Sequence, residues 1–136
     1  MKIHYLDSSI VIPLISASIG TREQRREPRN IKAAQFVKKL RVESKISVAT
    51  YAETLRHFRG NEEARKILQN FNPPLPLTTR HAERWARLQN RSDRVMGDND
   101  AWNAALAVAE NGVVVGHDEE AFNDRPDVEY IDYMKE

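Results

Sequence analysis

Hydrophobic residues fall in short clusters along this chain, and their spacing switches between strand-like and helical periods. Residues 2–6 hold Ile3, Tyr5 and Leu6 in one apolar run, which predicts a strand. A helix is expected over 10–18, capped by Ser8 or Ser9, with Pro13 near its start where a missing N–H matters least. Ile31, Ala34, Val37 and Leu40 recur at helical spacing and predict a helix over 30–41. Between these helices, residues 19–29 break the period, carry Gly20 and Pro28, and read as an exposed basic loop. Residues 45–49 predict a second strand. Helices over 50–60 and 62–71 follow, ended by Gly60 and by Asn72, Pro73 and Pro74. Residues 75–77 make a short third strand that Pro76 pushes toward a sheet edge. Thr78 or Thr79 caps a long helix reaching Arg91, and Asp98 caps another that ends at Asn111 and Gly112. The continuous run Val113, Val114, Val115 suits a strand covered on both faces. A helical turn over 118–122 and a last strand over 128–131 complete the pattern.

Strands that alternate with helices in this way favour an α/β fold, a mostly parallel sheet with helices on both faces. Right-handed crossovers then place the carboxyl ends of all parallel strands on one side. A chain of 136 residues, 40% hydrophobic and 30% charged, suits one globular domain over 1–136. The absence of cysteine excludes disulfides and thiolate metal sites. No apolar stretch is long enough to span a bilayer and no leader pattern opens the chain, so a cytoplasmic location and no membrane contact are expected. The formal net charge is only +1, but it is unevenly spread. Residues 21–45 hold nine Lys or Arg against three Glu, and residues 118–136 hold eight acids against two bases. Such polarity fits a polyanion on one surface and a cation on another, or two solvated faces of opposite sign.

The parallel sheet makes the acids informative. Asp7 closes the first strand. Glu53 lies in the first helical turn after the second. Asp100 opens the helix before the Val113 strand, and Asp118 follows that strand after two residues. Each stands at a strand's carboxyl end or a helix's amino end, so one sheet edge gathers all four, with Asp98 and Glu119 as extras. Four unpaired carboxylates in a small space raise one another's pKa unless a cation neutralises them. Oxygen ligands alone point to a hard divalent ion, Mg²⁺ or Mn²⁺, and such an ion beside a phosphodiester supports hydrolysis. Structural readings stand beside these: Asp7 and Asp118 as caps, Thr50 to Glu53 as a capping box, Asp98 as a cap with Asp100 favoured by the helix dipole.

Four segments, in this order, resemble the PIN-domain ribonucleases and among them the VapC-type toxins of toxin–antitoxin pairs. They are YLDSSIVI from Tyr5, ISVATYAETL from Ile46, GDNDAWNAA from Gly97 and VVGHDEEAF from Val114. The resemblance implies an α/β/α sandwich on a sheet of about five strands, and Mg²⁺- or Mn²⁺-dependent endoribonuclease activity. It implies Asp7, Glu53, Asp100 and Asp118 as the acidic set. Asp7 and Asp100 would contact metal directly or through water, Glu53 and Asp118 would serve waters or a second ion, and Asp98 would be an auxiliary acid. Ser9 stands where relatives carry a small polar residue that steadies the first Asp. A homodimer and a cognate antitoxin protein are further implications. Three positions depart from the pattern. Gly116 replaces a frequent hydroxyl residue, His117 sits where a basic residue is frequent, and the 19–29 segment is long. Arg22, Arg25, Arg26 and His117 are candidates for contacting RNA, with Ser9; plain solvated residues are the alternative. An RNA-processing nuclease without an antitoxin, and a catalytically weak PIN-fold module that binds RNA or protein, are the competing readings.

Overall fold

The computed structural model describes residues 1–71, 73–91, 95–122, 125 and 127–136; the side chains of Arg91 and Glu119 lie outside that description. Strand β1 (His4–Leu6) leads into α1 (Ser8–Ile19), then α2 (Arg22–Arg26) and α3 (Pro28–Lys39). Strand β2 (Ser44–Lys45) is followed by α4 (Val48–His57), α5 (Glu62–Leu68) and a 3₁₀ turn over Gln69–Phe71. Helices α6 (Thr79–Arg91) and α7 (Asp98–Ala109) precede β3 (Val113–Gly116), α8 (Glu119–Phe122), β4 (Tyr130–Asp132) and a final 3₁₀ turn, Tyr133–Lys135. The sheet order is β2-β1-β3-β4, and all three pairings are parallel. With His4 paired to Val113 and Leu6 to Val115, the carboxyl ends of the two central strands lie level.

Alternation along the central strands makes the sandwich. Tyr5 and Val114 point to one face and pack with Leu88 of α6, Leu106 of α7 and Phe122 of α8. Leu6 and Val115 point to the other and pack with Ile10 and Ile15 of α1, Ala33 of α3 and Leu68 of α5. Each fully buried aliphatic side chain contributes roughly 1.5–3 kcal/mol of transfer free energy, so a one-residue slip of β1 would forfeit both cores. Close packing has a local requirement at Gly112, where a Cβ would lie 2.3 Å from the Tyr5 ring. Asn111, at φ 54°, takes the left-handed turn between α7 and β3.

Several expectations need correction. Residues 19–29 are not a loop: Thr21 and Gln24 form a reciprocal capping box that starts α2, and Pro28 occupies the first turn of α3. The expected strand over 75–77 contributes one parallel bridge, Ser47 to Leu75, so among the described residues the sheet has four strands and not about five. The bridge is held by the Leu75 N–H donating to the Ile46 carbonyl at 2.8 Å and the Val48 N–H donating to the Leu75 carbonyl at 2.9 Å. Helix α4 begins earlier than expected; Ser47 caps it by accepting from the Thr50 N–H, so Thr50 and Glu53 do not form a capping box. Asp7 caps α1 in place of Ser8 or Ser9, and Gly97 precedes α7 in place of Asp98. Pro13 lies in the interior of α1, well past the first turn. Among the described residues, no helix is long and apolar enough to cross a membrane.

Candidate active site

Asp7 directly follows β1 and is 2% exposed, and hydrogen-bond donors hold both of its carboxylate oxygens. Its Oδ2 accepts from the Ser9 N–H at 3.1 Å and the Ser9 hydroxyl at 2.7 Å. Its Oδ1 accepts from Asn103 Nδ2 at 2.8 Å. Asn103 is itself 2% exposed; the Ser47 hydroxyl donates to its Oδ1 at 2.9 Å, and the Thr50 hydroxyl accepts from its Nδ2 at 3.0 Å. One helix face of α7 and the first turn of α4 thus aim a single amide N–H at Asp7. Asn103 escaped sequence reasoning; its signal was an amide in a helix otherwise packed with alanine.

The other acids arrive from three elements. Glu53, on α4, accepts from the Ser8 hydroxyl and from Asn99 Nδ2. Asp100 and exposed Asp98 sit in the first turn of α7. Asp118 follows β3; its N–H donates to the Tyr130 hydroxyl at 2.8 Å, and its Oδ1 caps α8 by accepting from the Ala121 N–H at 3.2 Å. Asp7, Glu53, Asp98, Asp100 and Asp118 line one hollow of about 310 Å³, together with Ser8, Ser9, Gly97 and Asn99. Among the described residues, no Lys or Arg lines it. An adjoining hollow shares Asp100 and Asp118 and has Arg125 on its wall.

Burial and crowding raise the pKa values of Asp7 and Asp100. Asp100 is pushed from 3.8 up to about 7, first by burial and then by the charges of Asp7, Asp118 and Glu53. Burial raises Asp7 as well, with Glu53 adding to it, against the lowering effect of the Ser9 and Asn103 hydrogen bonds. The donor set is all oxygen and carries excess negative charge, which fits a hard divalent cation. Among the described residues, no three acidic or histidine side chains are gathered into a ready-made cage for an ion.

Ser9 is the joint of the site. Its hydroxyl, bonded to Asp7, also accepts from the His117 N–H at 2.8 Å. A Cβ at position 116 would lie 2.5 Å from that hydroxyl, so Gly116 leaves the room that Ser9 fills. Pro13 has no N–H to give the Ser9 carbonyl one turn earlier. Tyr133 and Arg29 replace it, the phenol donating to Ser9 O at 3.2 Å and the guanidinium at 3.4 Å. His117 does not line the hollow; its ring lies against Tyr133, with Nδ1 2.8 Å from Asp132 Oδ1. Arg22, Arg25 and Arg26 are exposed on α2 and also stand outside the hollow's lining. Glu119 lies in α8, its side chain outside the described residues.

The PIN domain family model matches residues 4–128. The chain belongs to the PIN domain family. Among curated proteins, ribonuclease VapC1 of Haemophilus influenzae is similar to it, 25% identical over 144 residues that cover 98% of this chain and 99% of that one. Among solved structures, VapBC2 from Rickettsia felis, bound to a DNA fragment from its promoter, superposes with a TM-score of 0.72 at 16% identity, covering 95% of this chain and 97% of that one. A toxin–antitoxin complex from Klebsiella pneumoniae gives 0.72 at 20% identity, over 96% and 97%. These likenesses establish the PIN fold, and in this chain four acids distant in sequence meet at the sheet's carboxyl edge.

Proposed function

We propose that this PIN domain is a metal-dependent endoribonuclease acting as the toxin of a toxin–antitoxin pair. The observation that carries the reading is the convergence of Asp7, Glu53, Asp100 and Asp118 on one hollow whose described lining holds no basic side chain. The similar ribonuclease VapC1 and the solved toxin–antitoxin complex support the RNA substrate and the antitoxin partner. Asp7 and Asp100 are the residues to hold Mg²⁺ or Mn²⁺, with Glu53, Asp118 and Asp98 around them. When bound, the ion supplies charge for the phosphate oxygens and lowers the pKa of water. Asp7 is kept in one orientation by Ser9 and Asn103, so the carboxylate needs no rearrangement to serve. Ser8 and Asn99 hold Glu53 in the same way. Mg²⁺ prefers one or two carboxylates plus phosphate oxygens to an all-protein cage, which agrees with acids spread around a hollow. A homodimer belongs to the same proposal. The test is incubation of the purified protein with total RNA, with Mn²⁺ and with EDTA, followed by mapping of new ends. Discrete internal cuts dependent on Mn²⁺ support the reading, and intact RNA in every condition overturns it.

A further inference from the structure

Arg29 reaches the first turn of α1 beside the acidic hollow without lining it. Unlike Arg22, Arg25 and Arg26 it is half-buried, and its geometry is fixed: Nε donates to the Tyr133 hydroxyl at 3.2 Å and Nη2 to the Ser9 carbonyl at 3.4 Å. Both acceptors are neutral. Among the described residues it makes no ion pair. A half-buried guanidinium normally meets a carboxylate or phosphate, because neutral acceptors leave its charge uncompensated. Here Arg29 lines a groove of about 270 Å³ between α1 and the α2–α3 segment. That groove shares Ser8 and Ser9 with the acidic hollow, so the two spaces adjoin at the first turn of α1. Exposed Glu27 is also on the groove's wall, and among the described residues it and Arg29 make no ion pair.

We propose that Arg29 grips a phosphate of single-stranded RNA flanking the bond that is cut, with the α1/α2–α3 groove as the subsite for that nucleotide. This rests on the nuclease reading and adds a residue and a direction to it. The strand runs from the acidic hollow across Ser8 and Ser9 toward α3. Planar guanidinium suits the task, since it offers two parallel N–H groups to phosphate oxygens. Pro13 is the origin of the arrangement: by withholding an N–H from Ser9, it leaves a carbonyl that anchors the guanidinium.

The test is an interference walk by fluorescence anisotropy. Short single-stranded oligoribonucleotides, each with one neutral methylphosphonate linkage at a successive position, are bound to the protein in EDTA so that no cutting occurs. For wild type, one linkage is expected to weaken binding about tenfold when neutralised. Arg29→Gln keeps a donor for the Ser9 carbonyl but loses the charge. It is expected to bind unmodified RNA about tenfold more weakly, to be indifferent to that linkage, and to lower the slope of log affinity against log salt by about 0.7. Arg29→Met is the second variant if Arg29→Gln does not fold. A residue that merely braces Ser9 would not make the response to one particular linkage disappear. The proposal is overturned if the neutral variants keep the wild-type interference pattern, or if no linkage matters in wild type. Absence of Mn²⁺-dependent cleavage, by contrast, counts against the nuclease reading and is measured separately.

Discussion

Asp100 and Glu110 stand at opposite ends of helix α7 and have opposite fates. At its carboxyl end Glu110 meets Arg80 Nη1 at 3.1 Å and His81 Nε2 at 3.0 Å. His81 is well suited to this, because its Nδ1 accepts from the Thr78 N–H at 3.0 Å, which leaves the proton on Nε2 for Glu110. Glu110 stands where the helix dipole disfavours an anion, and neighbours from α6 compensate it. Asp100 stands where the dipole favours an anion by about 0.3–1 kcal/mol, yet its pKa rises to about 7. Burial and three neighbouring acids outweigh the dipole. Position on the helix therefore does not set a carboxylate's pKa by itself; burial and the surplus of like charge around it do.

The largest effect should come from cutting into the crowded end. Asp7→Asn and Asp100→Asn each lower the rate of Mn²⁺-dependent RNA cleavage about 100-fold or more, while circular dichroism stays that of the wild type. Glu110→Gln, at the compensated end, leaves cleavage within about twofold of wild type and lowers the melting temperature instead. If Glu110→Gln abolished cleavage and Asp100→Asn did not, the contrast between the two ends would be reversed.

Next in size is the pH dependence of metal-free stability. The unfolded chain releases the Asp100 proton near 3.8, and the folded chain keeps it to about 7. Between those values the folded state binds more protons, so stability falls as pH rises from about 4 to 7. A fully buried group with this shift would contribute roughly 4 kcal/mol; Asp100 is partly open to water, which reduces the expected loss to on the order of 2 kcal/mol. Asp100→Asn flattens the curve and raises the metal-free melting temperature at pH 8, where a role as a dipole partner alone predicts a drop. Urea titrations at pH 5 and pH 8 without metal decide between them.

The smallest effect belongs to the open basic surface. Reversing Arg25 and Arg26 to Glu should weaken RNA binding severalfold and reduce the salt slope, by about 0.7 for each phosphate that these side chains neutralise in the wild type. An unchanged slope would make these exposed side chains solvated residues with no part in recognition.

The convergence of the four acids was legible in sequence because strand ends and helix starts are. The run of Ile3, Tyr5 and Leu6 stops at Asp7, and Val113 to Val115 stops just before Asp118; parallel topology does the rest. The features missed are of other kinds. Helix α2 has only five residues, too few for a periodic signal, and depends on a capping box at Thr21 and Gln24. The Ser9 carbonyl is freed by Pro13 but satisfied by Tyr133, far along the chain, and spacing carries no trace of that pairing. Asn103 reads as one polar position in an alanine-rich helix until Ser47, Thr50 and Asp7 are seen around it. His117 and Gly116 were visible as departures, yet only the fold shows the Ser9 hydroxyl filling the space beside Gly116.

Manganese binding tests the convergence of the acids most directly. Titration of Mn²⁺ into the purified protein, followed by electron paramagnetic resonance, should show saturable binding in wild type and in Glu110→Gln, weakened about tenfold or more in Asp7→Asn and Asp100→Asn. Equal Mn²⁺ affinity in all four proteins would contradict the claim that these acids converge to hold a cation.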